Sequence, residues 1–363
     1  MREARTLKSY FPMIRSREEI IKEISGRDDL RIIYEKWNEE QKNLFLDYCT
    51  GARGVKMLYD SFFKAILDPD TIPERLEELL SLILRQEVRI LKVLPNESTR
   101  IGAENSLLIM DILVQLKDGS IANVECQRSG YAFPGQRAAC YSADLLMRQY
   151  KRVRGEKGEA FTYRDIKKVY TIVFYKQSPK EFHDFSDYYI HRSRQKSDSG
   201  ISLELLQEFI FIPIDIYFKF HHNKGIRNKL EAWLTFLGND DPEIIMDLIE
   251  QYPKFRKMYE EVYELCLNTE RVMEMFSKEL QELDKNTVQY MIDDMQDTID
   301  EQKKQLASKD ETIDEQKVTI DEQKKQLASK DETIDEQKKQ LADRDTEIQA
   351  LKKRLAEHGI DAK

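Results

Sequence analysis

The residues best suited to chemistry lie in SLLIMDILVQLKDGSIANVECQR, positions 106–128: Asp111, then Glu125 and Gln127 with one residue between them. Apolar residues alternate on both sides of Lys117-Asp118-Gly119, so two antiparallel strands flank a tight turn. A two-residue loop and a three-residue loop differ by one position in register, and that slip sends every side chain of one strand to the opposite face. The three-residue loop, with Gly119 left-handed, puts Leu108, Met110, Ile112, Val114 and Leu116 with Ala122, Val124 and Cys126 on one apolar face. Asp111 then stands opposite Glu125, with Asn123 and Gln127 beside it. The two-residue loop would bury Glu125 and Gln127 among leucines, at about 1–3 kcal/mol for each unpaired polar group and more for a charge. The spacing therefore predicts the three-residue loop.

Two carboxylates facing each other on paired strands have Cβ atoms about 5 Å apart and repel. A divalent cation compensates that repulsion. Mg²⁺ takes oxygen ligands at about 2.1 Å and keeps several waters, one of which becomes an attacking hydroxide when a phosphodiester is the substrate. The alternative is an acid pair on a solvated sheet face, neutralised by nearby lysines.

These residues carry a family likeness. Asp111, a hairpin, Glu125 and Gln127 on the next strand, and a helix bearing Arg137 and Tyr141 resemble the PD-(D/E)xK nuclease superfamily, in particular its recombination-promoting nuclease and transposase-like family of bacteria. The upstream Asp60-Ser-Phe-Phe-Lys64 stretch belongs to the match, which covers about a third of the chain, Tyr59 to Lys176. Two departures stand out: Met110 occupies the place of the proline, and Gln127 that of the lysine, which removes a cation beside the attacking water. The resemblance implies a metal-dependent endonuclease acting on DNA, with Asp111 and Glu125 binding Mg²⁺ (Mn²⁺ serving in its place) and the Cys126 carbonyl as a further ligand. Gln127 would orient the water. For some relatives it also implies an acid from the first helix, here Glu77 or Glu78, although solvation is the commoner fate of glutamates on such a helix. Arg137 and Tyr141 are one helical turn apart and share a face, where the arginine fork suits a phosphate and the tyrosine hydroxyl can position it; packing of an Arg-Tyr stack on the sheet is the other reading. Lys64 reads as structural rather than chemical.

The elements that must position these residues follow the α-β-β-β-α-β order of such nucleases. Glu74 to Glu87 has helical apolar spacing after Pro73, Val88 to Leu94 and the hairpin supply three strands, Gly135 to Arg152 is a helix, and Val169 to Tyr175 a strand. The expected fold is α/β, a restriction-endonuclease-like core with a helical C-terminal extension and a long coiled-coil-like helix. The expected divisions are an N-terminal helical segment at 1–56, the core at 57–222, the extension at 223–298 and a heptad-repeat tail at 299–363.

Composition limits the partners. The net charge is −9, and the 14 basic and 17 acidic residues of the tail leave the body acidic too, at 44 and 50. DNA must therefore be met by a local patch. The candidates are Arg148, Lys151, Arg152, Arg154 and Lys157 at the end of the long helix, and His191, Arg192, Arg194 and Lys196 in the loop after the fourth strand. No apolar run is long enough to span a bilayer; Leu205 to Phe220 is interrupted by Glu208, Pro213, Asp215 and Lys219. Cys49, Cys126, Cys140 and Cys266 lack metal-ligand spacing, and with no signal-peptide pattern a cytoplasmic location with reduced thiols is expected. His221-His222 are adjacent and would point apart on regular structure, which disfavours a metal pair. In the extension, Gly238 reads as a helix cap, while Pro242 and Pro253 mark helix starts.

Ile or Leu recurs at 299, 306, 313, 320, 327, 334, 341, 348 and 355, and IDEQKKQLASKDET at 299–312 returns unchanged at 320–333. A seven-residue period predicts a left-handed coiled coil and a homo-oligomer. The seam is narrow, because the position three residues on holds Gln302, Lys309, Gln316, Gln323, Lys330, Gln337 or Arg344 and becomes apolar only at Leu351. Pairs such as Asp300–Lys304, Asp321–Lys325 and Asp335–Lys339 would support a long helix by about 0.2–0.5 kcal/mol each. A binding module lacking catalysis is the competing function, and a magnesium-dependent nicking assay separates the two.

Overall fold

The computed structural model describes residues 6–95, 111–129, 134–220 and 224–357. Two compact units emerge, 1–293 and 294–363. In the first, four helices lead in: α1 (Leu7–Tyr10), α2 (Arg17–Ser25), α3 (Asp28–Glu35) and α4 (Glu39–Thr50). Capping boxes start two of them, Ser16 with Glu19 and Asn38 with Gln41, so each pair satisfies two otherwise orphaned backbone donors. Next come α5 (Asp60–Ile66), α6 (Pro73–Leu84), β1 (Ile90–Val93), β2 (Ile112–Leu116), β3 (Ile121–Ser129), α7 (Pro134–Lys157) and β4 (Val169–Gln177). This is the α-β-β-β-α-β order expected from the sequence.

Beyond that core the chain adds α8 (Lys180–His183), β5 (His191–Ser193), β6 (Gln207–Pro213) and α9 (Ile214–Phe220). The six strands form one mixed sheet in the order β1-β2-β3-β4-β6-β5, with β3, β4 and β6 parallel and the outer pairs antiparallel. The segment expected as a loop after the fourth strand is thus partly strand: His191 to Ser193 pairs with Phe209 to Phe211.

The hairpin register is the one that the alternation requires. Ile112 pairs with Val124 and Val114 with Ala122; Leu116 N–H donates to Ser120 O, and Gly119, at φ +88°, completes a three-residue loop. Leu108 and Met110 lie outside the described residues, as do His221 and His222. Both faces of the sheet are covered. Ile112, Val114, Ala122, Val124, Ile172, Phe174, Ile210 and Ile212 pack with α5 and α6, where the Phe63 and Phe174 rings meet edge-on at 6.0 Å. On the opposite face Leu113, Ile121, Val169 and Val173 lie under Ala138, Tyr141 and Leu145 of α7. Burial on both sides explains why β4 reads VYTIVFY with little alternation.

Helices α10 (Lys229–Gly238), α11 (Pro242–Gln251), α12 (Lys254–Leu267) and the first turns of α13 (Thr269–Glu357) share the larger core with α1–α6. Asn228 caps α10, and Asp241 caps α11 with Pro242 as its first residue. Gly238 serves differently from the cap that its position suggests: it lies within the last turn, and a Cβ there would meet Ile214 Cγ2 at 2.3 Å and Phe218 Cε2 at 2.6 Å. Its role is close approach of α10 to α9. Two of the cysteines distant in sequence share the larger core, Cys49 of α4 and Cys266 of α12, both as buried free thiols.

The second unit is helical through Glu357, and its described side chains are solvent-exposed. Its heptad residues from Ile299 to Leu355 are 38–62% exposed, so among the described residues of this unit nothing covers the apolar stripe. The charged pairs form one position closer than expected, at i,i+3: Asp300–Lys303, Asp314–Lys317, Asp321–Lys324 and Asp335–Lys338.

Candidate metal and phosphodiester site

Continuing the register Ile112↔Val124 by one residue sets Asp111, just before β2, opposite Glu125. The two interlock through each other's strands. Asp111 Oδ2 accepts from Cys126 N–H at 2.7 Å, while the Glu125 carboxylate accepts from the Asp111 N–H. Asn123 Nδ2, two residues back along β3, donates to Glu125 Oε1 at 2.9 Å. Glu125 is only 4% exposed and Gln127 8%.

Burial pushes the Asp111 carboxyl well above the usual aspartate range, and the charges of Glu125 and Asp60 add to the effect, against Lys64 and the Cys126 N–H. Burial likewise raises Glu125, opposed by Asn123, Arg137, the Asp111 N–H and Lys64. Two buried acids held above their usual range beside each other mark a candidate cation site, since a bound cation would favour their ionised forms.

The cation nearest to hand is Lys64. It reaches Asp111 Oδ1 at 3.2 Å and Asp60 Oδ1 at 2.8 Å. Burial alone would lower the lysine, but the two aspartates outweigh it and raise its pKa. Lys64 and Asp60 thus stand in contact with the acid pair through Asp111. The signal in the sequence was their i,i+4 spacing at a helix start, where an aspartate is also favoured.

Glu77 and Glu78 do not join these acids in any described contact. Glu77 accepts from Ile90 N–H at 2.7 Å and Arg89 at 3.0 Å, tying α6 to β1, and Glu78 pairs with Lys254 at 2.5 Å.

Arg137 and Tyr141 share a face of α7 as their spacing requires. Arg137 Nη2 donates to Tyr141 Oη at 2.8 Å, and the guanidinium lies 5.1 Å from the Tyr141 ring centre. Tyr141 is buried against Leu113 and Ile121, so the stack packs α7 on the sheet while bringing the arginine into the field of Glu125. Cys126 points the other way, its thiol donating to Leu58 O at 3.0 Å.

Three polar atoms on the α7 side of the sheet are buried without a hydrogen-bond partner: Asn123 Oδ1, Gln127 Oε1 and Thr171 Oγ1. Buried oxygens in that state call for water or a ligand. Among the described residues no three His, Cys, Asp or Glu side chains gather into a metal cage. Two carboxylates with neutral oxygens nearby instead suit a hard cation that retains waters, and these residues fit Mg²⁺.

The basic groups expected to meet nucleic acid are largely engaged within the fold. Arg148 pairs with Asp144 at 2.8 Å, Arg152 with Glu156 and Lys157 with Asp165, and Arg154 donates to Tyr150 Oη. Arg194 pairs with Glu208 at 2.7 Å, and Arg192 donates to Ile83 O. Ser178, His183 and Asp215 also meet, but His183 Nε2 faces both Ser178 Oγ at 3.2 Å and Asp215 Oδ2 at 3.3 Å. A nucleophile relay needs one ring nitrogen for each partner, so this trio is not one. No helix among the described residues is long and apolar enough to cross a membrane.

Comparison with curated proteins and with solved structures gives no match. The family model of the PD-(D/E)XK nuclease family transposases matches residues 57–293, more than half of the sequence and the whole sheet with its two layers of helices, and the chain belongs to that family.

Proposed function

We propose that the chain is a magnesium-dependent DNA endonuclease that promotes recombination or serves a mobile element. The observation carrying this reading is the interlocked opposition of Asp111 and Glu125, with Gln127 on the same buried face. Asp111, Glu125 and the Cys126 carbonyl would hold Mg²⁺, or Mn²⁺ in its place. Such an ion supplies a bound water of lowered pKa and positive charge beside the phosphate.

The chain's own groups do the rest. Gln127 Oε1, buried and without a partner, accepts a hydrogen bond from the attacking water and orients it. Its neutral amide brings no charge, and Lys64 supplies the cation on the Asp111 side of the site. Arg137 presents its planar fork to non-bridging phosphate oxygens, held in place by Tyr141. The water oxygen bonds to phosphorus as the P–O bond to the leaving sugar oxygen breaks; the attacking water gives one proton to solvent and the leaving oxygen takes one from solvent, so the net change adds one water across the bond. Self-association through the heptads of α13 would bring sites together in pairs or higher order.

A second reading takes support from Lys64. If its ammonium stands in for the ion, the chain is a silent nuclease fold that binds DNA or protein and assembles through its tail. Nicking of supercoiled plasmid with and without Mg²⁺, for the wild type and Asp111→Ala, separates the readings. Magnesium-dependent cleavage that disappears in the variant supports the endonuclease, whereas equal cleavage by both, or by neither, removes it.

A further inference from the structure

We propose that the cleft between β1–β3 and the C-terminal half of α7 holds an unpaired nucleotide of the DNA strand flanking the acid pair; the assignment to DNA rests on the nuclease reading above. The cleft measures about 650 Å³, and pockets that enclose small ligands run from about 300 to 1,000 Å³. Its floor is aliphatic, made by Leu94, Leu113, Ile121 and Leu145. Its rim carries four cations, Lys92, Arg148, Lys151 and Arg152, and no carboxylate is among its lining residues.

The same two surfaces carry the acid pair. Strand alternation puts Leu113 on the face of Asp111, two residues on and about 7 Å along the strand, and Ile121 on the face of Glu125. On α7, Arg137, Tyr141, Arg148 and Arg152 stand at i, i+4, i+11 and i+15, which is one stripe of the helix. Tyr141 and Leu145 pack in one cluster with Leu113 and Ile121, so the stripe lies over those strands. Along the helix axis Arg148 is about 16 Å from Arg137. At about 3.4 Å per stacked nucleotide, a strand covers that distance in about five nucleotides.

Two observations point to a ligand. Arg148 has its Nε ion-paired with Asp144 at 2.8 Å and its Nη1 donating to Pro95 O at 3.3 Å, yet Nη2 is buried without a hydrogen-bond partner. A guanidinium N–H in that state calls for an acceptor. Arg152 meets Glu156 at 4.0 Å, whereas Lys92 and Lys151 are exposed and enter no ion pair among the described residues. Phosphates alone would account for the rim and leave the floor unexplained. The faces of a base are hidden in a stacked duplex and open to protein in an unpaired nucleotide, whose base would cover the aliphatic floor while its phosphates meet the rim.

The test is anisotropy of two labelled DNAs with the full-length protein in EDTA, a blunt duplex and the same duplex with a single-stranded overhang. The wild type should bind the overhang DNA at least about fivefold more tightly, and abasic residues in the overhang should abolish that preference, since they keep the phosphates and remove the bases. Lys92→Gln with Lys151→Gln, at two exposed positions that leave the fold intact, should bring the overhang DNA to the affinity of the blunt duplex. The same double variant should flatten the slope of log K against log salt for the overhang DNA by about 1.4, at about 0.7 for each phosphate of a single strand. Lys168→Gln, which removes a pair with Glu204 outside the cleft, should change neither reading. Equal affinity of the wild type for the two DNAs overturns the proposal, as does a preference that survives the abasic residues or the double variant. A free deoxynucleoside triphosphate that raises the melting temperature of the wild type but not of the double variant, with no overhang preference, gives the cleft to a soluble nucleotide and also overturns it. Plasmid nicking in Mg²⁺ keeps the two ideas apart: overhang preference without cleavage by the wild type retains the subsite and removes the nuclease, and cleavage without overhang preference does the reverse.

Discussion

Lys64 Nζ lies 3.2 Å from Asp111 Oδ1, so the first cation of the acid pair is already part of the chain. An incoming ion must share or displace it. Lys64→Gln should therefore enlarge the rise in melting temperature produced by a fixed Mg²⁺ concentration, because binding to the folded state alone stabilises it by RT ln(1 + [Mg²⁺]/Kd). Thermal unfolding of the variant and the wild type across a magnesium titration measures this. A smaller shift in the variant would mean that Lys64 assists the ion instead of competing with it.

The raised carboxyls give the metal-free site its own pH dependence. Asp111 and Glu125 both have folded-state pKa values above their unfolded ones, of about 3.9 and 4.3. The folded state then binds more protons than the unfolded state between those values and the raised ones. The contribution of this pair to stability is fullest at the acidic end of that window and falls as pH rises through it, at up to about 1.4 kcal/mol per pH unit for each group. Asp111→Asn should flatten the fall and melt above the wild type at pH 8 in EDTA. Denaturant midpoints at several pH values check the sign.

Arg137 and Tyr141 should separate positioning from charge. Tyr141→Phe removes the 2.8 Å bond that steadies the guanidinium, a net change of about 1 kcal/mol, and should slow nicking by less than about tenfold. Arg137→Ala should cost far more. Arg137→Lys should not restore activity, since an ammonium can neither fork onto a phosphate nor stack on the ring in the same way. Single-turnover rates at saturating Mg²⁺ give the comparison.

The tail's seam invites a direct test. Ile313→Gln with Ile320→Gln places amides at two successive heptad positions, where the apolar side chains stand nearly half exposed in the single chain. If these residues meet in an assembly, sedimentation equilibrium should show a lower mass for the double variant, and helix content should fall, because isolated helices are marginal in water. Identical mass and helicity would show that the helix stands without them.

Gly238→Ala should destabilise the fold by about 1–3 kcal/mol, the usual range for overpacking, because its methyl would fall within 2.6 Å of both Ile214 and Phe218. The melting temperature should drop by roughly 2–4 °C for each kcal/mol. A helix-cap role alone would predict a left-handed residue there, which Gly238 is not.

Much of the site is local and so was legible in one dimension. The alternation on either side of Lys117-Asp118-Gly119 admits only one register that sets Ile112 and Val114 against Val124 and Ala122 on one apolar face. That register sets Asp111 against Glu125 and keeps Gln127 on their face, whatever the remainder of the chain does. The seven-residue period of the tail and the helical spacing of Arg137 and Tyr141 are local in the same sense. What only the tertiary structure decided concerns charge. Glutamates of α6 and arginines near β5 have the composition of functional groups, yet packing commits them to Ile90, Lys254, Ile83 and Glu208. The same packing brings Lys64 to Asp111 and Arg53 to Asp240 across long stretches of chain. Hydrophobic pattern fixes which face a side chain takes, because the strand has a period of two; which opposite charge it meets there depends on how separate elements close over the sheet, and no local period encodes that.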